Sequence, residues 1–175
     1  MNASSAAENA EDAALDAVVF VDFDGVLHPY GCAEDAYFCR LEIFEGWLRR
    51  RPGVDVVISS TWRETRSVSE LTAFFADDLK QRVIGVTPLF IQDSWEQFDG
   101  EPPPPRFARH IEVLRWLVQS STPWRRWAAL DDQSLLYKPF TRELVICDGR
   151  VGLTQLELDK LDDVLRSSAG FAIKP

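Results

Sequence analysis

Residues 17–28 read AVVFVDFDGVLH. The apolar run from Ala17 to Val21 is unbroken and stops at Asp22, with Asp24 and Gly25 close behind. Such a run, bounded by turn-forming residues, is what a strand buried on both faces requires; a half-exposed strand would alternate. The pattern recurs in VDVVIS at 54–59, VIGV at 83–86, WAAL at 127–130 and LVIC at 144–147. Between the strands the apolar spacing turns helical. Leu41, Phe44 and Leu48 share a face of 41–51, and Phe107, Ile111, Leu114 and Val118 share a face of 106–119. Capping boxes at Thr61-Glu64 and Thr154-Glu157 predict further helices over 61–76 and 154–167. Strands alternating with helices predict an α/β chain: a Rossmann-like three-layer fold around a mainly parallel five-stranded sheet.

Composition bounds the function. The chain has 175 residues and a net charge of −9, from 28 acidic and 19 basic residues. That length suits one domain, expected over 17–175, after a disordered or frayed tail at 1–16 rich in small and polar residues. The acidic balance argues against a global basic footprint for nucleic acid, so any phosphate site must supply local positive charge. No apolar run is long enough to span a bilayer. Cys32, Cys39 and Cys147 stand at no metal-ligand spacing, which argues against zinc. Their low, odd number suits free thiols in a reducing, cytoplasmic setting. Four prolines at 102–105 suit a stiff surface connection.

Three strands end in residues suited to phosphate chemistry. The first ends in Asp22-Phe23-Asp24-Gly25, the second in Ser59-Ser60-Thr61, the fourth in Asp131-Asp132. In a doubly wound sheet, ligands bind beyond the carboxyl ends of the strands. If these strands are neighbours, the three groups converge. Clustered carboxylates cannot all stay ionised without a cation, and oxygen-only ligands point to Mg²⁺. A carboxylate can attack phosphorus, a second can move the proton, and a hydroxyl with helix N–H groups can hold phosphoryl oxygens.

The segments VFVDFDGVLHP at 19–29, VVISSTWR at 56–63 and WAALDDQ at 127–133 resemble the first, second and fourth motifs of the haloacid dehalogenase-like (HAD) superfamily. With a late GLT helix start, the combination looks like the HAD domain named after Swiss-army-knife RNA repair proteins. The resemblance covers about 17–168. It implies Mg²⁺-dependent phosphoryl transfer, usually phosphate monoester hydrolysis. Position by position, it makes Asp22 the nucleophile and Asp24 the general acid/base, whose carbonyl also binds metal. It makes Ser59 the phosphate-binding hydroxyl, with Ser60 the alternative, and Asp131 and Asp132 metal acids. The third motif departs from the family. Where a lysine is usual before the fourth strand, this chain has Arg106 and Arg109, and either can offer a forked donor to phosphate. The expectation leans to Arg109, because Arg106 follows the prolines.

The intervals between motifs leave no room for a full cap domain, so the site should be open. That suits a large or extended phosphorylated substrate, a small molecule or a nucleic-acid end, or a site completed by a second subunit. Residues 87–105 are a candidate partial lid. Trp62 is expected to pack on the flap after the first motif rather than stack on a base, His28 to shape that flap, and Arg63 to be solvated. Arg49-Arg50-Arg51 and Arg125-Arg126 are the basic clusters, the first read as a helix C-terminus. A rival reading is a HAD-fold binding or regulatory module with weak turnover, as the missing lysine would suit.

Overall fold

A computed structural model describes residues 15–89 and 106–167. Five strands, β1 (Ala17–Val21), β2 (Val54–Ile58), β3 (Val83–Val86), β4 (Arg126–Asp131) and β5 (Leu144–Ile146), form one sheet in the order β3-β2-β1-β4-β5. Every pairing is parallel. β1, an unbroken apolar run, is central and wholly buried, as such a run requires.

The helices are α1 (Leu41–Arg49), α2 (Val68–Thr72), α3 (Ala108–Gln119) and α4 (Gln155–Ser167). They cover both faces. Val19 and Val21 of β1 pack with residues of α1, α2 and α4, whereas Val18 and Phe20 pack with Val113 and Leu117 of α3. The architecture is the expected Rossmann-like three-layer α/β fold.

Three expectations are corrected. The helix over 61–76 is replaced by a 3₁₀ turn at Thr61–Glu64 and the separate α2. The capping box that operates is Ser67-Glu70; at the turn it is the Ser60 side chain that accepts the Trp62 N–H. The same sequence pattern occurs twice here, and the second copy starts the helix. The helix expected from 106 begins at Ala108, because Phe107 takes left-handed backbone (φ 65°) and breaks the helix there. Arg106 is thereby left off the helix and exposed. Of the tail expected at 1–16, Leu15 is buried and Asp16 pairs with Arg125. Residues 1–14 and the proline run at 102–105 lie outside the described residues, as does most of the candidate lid. Among the described residues no helix is long and apolar enough to cross a membrane.

Candidate active site

Register builds the site. β1 pairs β4 with Val21 beside Leu130, so Asp22 and Asp131 leave the sheet side by side. Ser59 N–H donates to the Val21 carbonyl at 2.9 Å, which places the end of β2 on the other flank. Asp22, Asp131 and Asp132 each offer a carboxylate oxygen, and these lie within 4.8 Å of one another. Asp22 Oδ1 accepts the Phe23 N–H at 2.7 Å, and Asp131 Oδ1 accepts the Gln133 N–H at 2.9 Å. The other oxygen of each, Oδ2, faces Arg109.

Asp132 is seated between two glycines. A Cβ on Gly25 would stand 2.3 Å from Asp132 Oδ2, and one on Gly149 would stand 2.5 Å from the same atom. Gly25 also has φ +72°, a backbone conformation that disfavours a side chain. Asp132 Oδ1 is buried with no hydrogen-bond partner among the described residues. Burial raises the Asp131 carboxyl well above the ordinary range, with the Asp22 charge adding to it and Arg109 opposing. Asp132 is raised for the same first cause and by Asp22.

Arg109, the second residue of α3, is the cation at this centre. Its Nη1 lies 3.1 Å from Asp22 Oδ2 and 3.0 Å from Asp131 Oδ2. Burial would lower its hold on the proton, but the two acids more than offset this. One nitrogen therefore faces two carboxylates, where the sequence suggested a fork open to phosphate. Among the described residues no ion pair joins Arg106 to this cluster.

The two serines separate cleanly. The Ser60 hydroxyl caps the following turn, whereas the Ser59 hydroxyl is buried with no hydrogen-bond partner among the described residues. Arg63, expected in solvent, instead turns its side chain inward, where it is only 3% exposed. Its Nη1 donates to the Ser59 and Ser60 carbonyls at 2.6 and 2.7 Å, and its Nη2 reaches Glu112 Oε2 at 2.5 Å. Glu112 also lies 3.8 Å from Arg109 Nε. It thus ties the second motif to α3.

Asp24 stands apart from the three clustered acids. Its Oδ2 accepts the Trp62 indole N–H at 2.8 Å. Its Oδ1 is 3.1 Å from His28 Nε2. The Phe38 N–H points at His28 Nδ1, so Nε2 carries the proton and donates to Asp24. Trp62 does pack on the flap, against Phe23, Tyr37 and Phe38, as expected. Its bond to Asp24 was not foreseen, nor were the parts played by Arg63, Glu112 and Gly149. The three-residue spacing of Arg109 and Glu112 on one helix was the available signal for Glu112. Gly149 read only as a turn.

Three strand ends, an acid triad with a buried cation and an unpartnered hydroxyl now stand together. The sequence matches the family described as the HAD domain in Swiss Army Knife RNA repair proteins, over residues 18–158. The chain belongs to that family. As a HAD domain it is a hydrolase-type enzyme by family; the RNA-repair context is that of the proteins the family is described from. No curated protein and no solved structure matches it. Cys32, Cys39 and Cys147 of this HAD domain are free thiols, and burial pushes the Cys147 thiol up to about 12.

Proposed function

We propose that this HAD domain is a Mg²⁺-dependent phosphatase that frees phosphate from a nucleotide or nucleic-acid end through an aspartyl-phosphate on Asp22. One observation carries the reading. Carboxylates from two adjacent strand ends lie within 4.8 Å of one another beside a buried arginine. The unpartnered Asp132 Oδ1 and the all-oxygen donor set fit a hard divalent cation. Asp22, Asp131, Asp132 and the Asp24 carbonyl would hold it. Mg²⁺ there supplies positive charge against the carboxylates and against a phosphoryl oxygen.

The residues divide the work. An Asp22 oxygen bonds to phosphorus as the ester P–O bond breaks, and the leaving oxygen takes a proton from Asp24. Asp24 then takes a proton from water, whose oxygen attacks phosphorus and releases phosphate and free Asp22. The Ser59 hydroxyl donates to a phosphoryl oxygen. Arg109 holds Asp22 in line. Both Asp24 oxygens accept hydrogen bonds, one from His28 and one from Trp62. Carrying a proton therefore requires Asp24 to release one of them.

The test is phosphate release from p-nitrophenyl phosphate and from an oligoribonucleotide with a terminal phosphate, with and without Mg²⁺. Metal-dependent turnover of either is expected. Absence of both would leave the HAD-fold binding module as the better reading.

Metal binding should also depend on pH. The Asp131 carboxyl is raised in the folded chain, chiefly by burial, above its unfolded value of about 3.9. Between those values the folded state binds more protons, so metal-free stability falls as pH rises through the window. A bound cation needs the ionised form and reverses that trend. The rise in Tm on adding Mg²⁺ should therefore be larger near pH ~8 than near pH ~5. A shift that is equal at both would place the cation elsewhere.

A further inference from the structure

The loop after Asp132 forms a surface that the phosphatase chemistry does not use. β5 enters the sheet with Leu144 beside Ala129, two residues below Asp131, which is roughly 7 Å along a strand. The chain from Asp132 to Leu144 therefore stays at the catalytic end of the sheet. It borders a groove of about 360 Å³ whose lining includes Phe107, Ser134, Lys138, Phe140 and Ile146. Phe107 is two residues from Arg109, Ser134 is two from Asp132, and Ile146 pairs in register with Asp131.

Two properties of this groove need an outside partner. The first is its aromatic exposure. Phe140 is 100% exposed and Leu135 is 85% exposed, the two highest values among the large apolar side chains described. Phe140 and Phe107 both take left-handed backbone, at φ 64° and 65°, which a bulky residue adopts only at a cost. Phe38 shares that conformation but packs on Phe23, Trp62 and Phe74. Among the described residues no ring packs on Phe140 in this way.

The second property is charge. Residues 133–142 contain no acid and two exposed bases, Lys138 and Arg142, in a chain with a net charge of −9. Arg106, also exposed, adjoins Phe107. In the other basic clusters, Arg51 pairs with Asp162 and Arg125 with Asp55 with their guanidinium groups turned inward, and Arg49 pairs with Asp78 at the surface.

We infer that this groove holds the single-stranded nucleic acid next to the scissile phosphate, with a base stacked on Phe140 and backbone phosphates near Lys138, Arg142 and Arg106. Exposed aromatics interleaved with cations form the recognition surface single strands use, and stacking is tolerant of sequence. The inference rests on the phosphatase reading for its placement of the scissile phosphate, but binding tests it separately.

The test uses the full chain, Phe140→Ala and the double variant Lys138→Glu/Arg142→Glu, all altered at exposed positions and checked by thermal melting. Anisotropy of a labelled single-stranded oligoribonucleotide without Mg²⁺ measures binding. Phe140→Ala should weaken it about tenfold, as loss of one stacked base implies. The double variant should weaken it further and flatten its salt dependence. In both, turnover of a phosphorylated oligonucleotide should fall relative to p-nitrophenyl phosphate. Wild-type protein that fails to bind the strand, or variants that bind it equally well, would overturn the inference while leaving p-nitrophenyl phosphate turnover to judge the phosphatase reading. Concentration-dependent self-association lost in Phe140→Ala would overturn it too, by assigning the face to a second copy of the chain. Groove-dependent binding without turnover of any ester would support this inference and count against the phosphatase.

Discussion

Asp22→Asn should abolish phosphate release, by about 10³-fold or more, without lowering the metal-free melting temperature. The two halves of this expectation come from the same geometry. The amide cannot attack phosphorus as a carboxylate can, so the covalent route closes. It keeps the shape of the side chain; its oxygen can still accept the Phe23 N–H now made to Oδ1 at 2.7 Å, while its NH₂ group, a donor, takes the place of the oxygen that Arg109 Nη1 now contacts at 3.1 Å, so that contact is given up. It also removes one of three charges held within 4.8 Å. Arg109 retains Asp131 as its partner at 3.0 Å. Relief of repulsion thus balances or exceeds the lost ion pair, and a site selected for reactivity commonly stabilises when its charges are removed. Steady-state kinetics and a thermal melt in chelator measure both halves. Residual activity within tenfold of wild type would rule out Asp22 as nucleophile. A collapse of the melting temperature would make any loss of activity uninformative about chemistry, and Asp22→Ser would then be needed to separate the two effects.

The sequence carried the sheet because burial on both faces leaves an unambiguous mark, the unbroken run from Ala17 to Val21 and its counterparts. It also carried the acids, since a parallel sheet sends every strand's carboxyl end to one side. It failed where side chains compete for one job. Thr61-Glu64 and Ser67-Glu70 both satisfy the capping pattern, and only the fold decides between them. Arg63 reads as a surface residue because nothing local reveals that three backbone carbonyls and Glu112 wait inside the fold. Phe107 reads as a core residue by spacing, yet its left-handed backbone starts α3 late and turns Arg106 away. The choice between Arg106 and Arg109 was thus a question of backbone geometry, which composition and periodicity do not encode.

Arg109 gives the second large effect. Arg109→Met leaves Asp22 and Asp131 buried side by side without their cation. Removing one member of a buried ion pair typically destabilises by about 3–5 kcal/mol, and the metal-free melting temperature should drop accordingly. Activity should fall about 10²-fold or more, because Asp22 loses the contact that orients it. Mg²⁺ should restore part of the stability but not the rate, since positive charge returns without the orienting hydrogen bond. Arg109→Lys should behave quite differently. Both acidic contacts come from a single nitrogen, Nη1, at 3.1 and 3.0 Å. An ammonium can reproduce two contacts made by one atom, and only the looser 3.8 Å approach of Nε to Glu112 is forfeited. Activity within about tenfold of wild type is therefore expected. Parity of the lysine variant would mean that this chain fills the third motif with a different side chain doing the same electrostatic work. A lysine variant as impaired as the methionine one would mean that the guanidinium's shape matters here, and that Glu112 and Arg63 belong to the catalytic frame as much as the acids do.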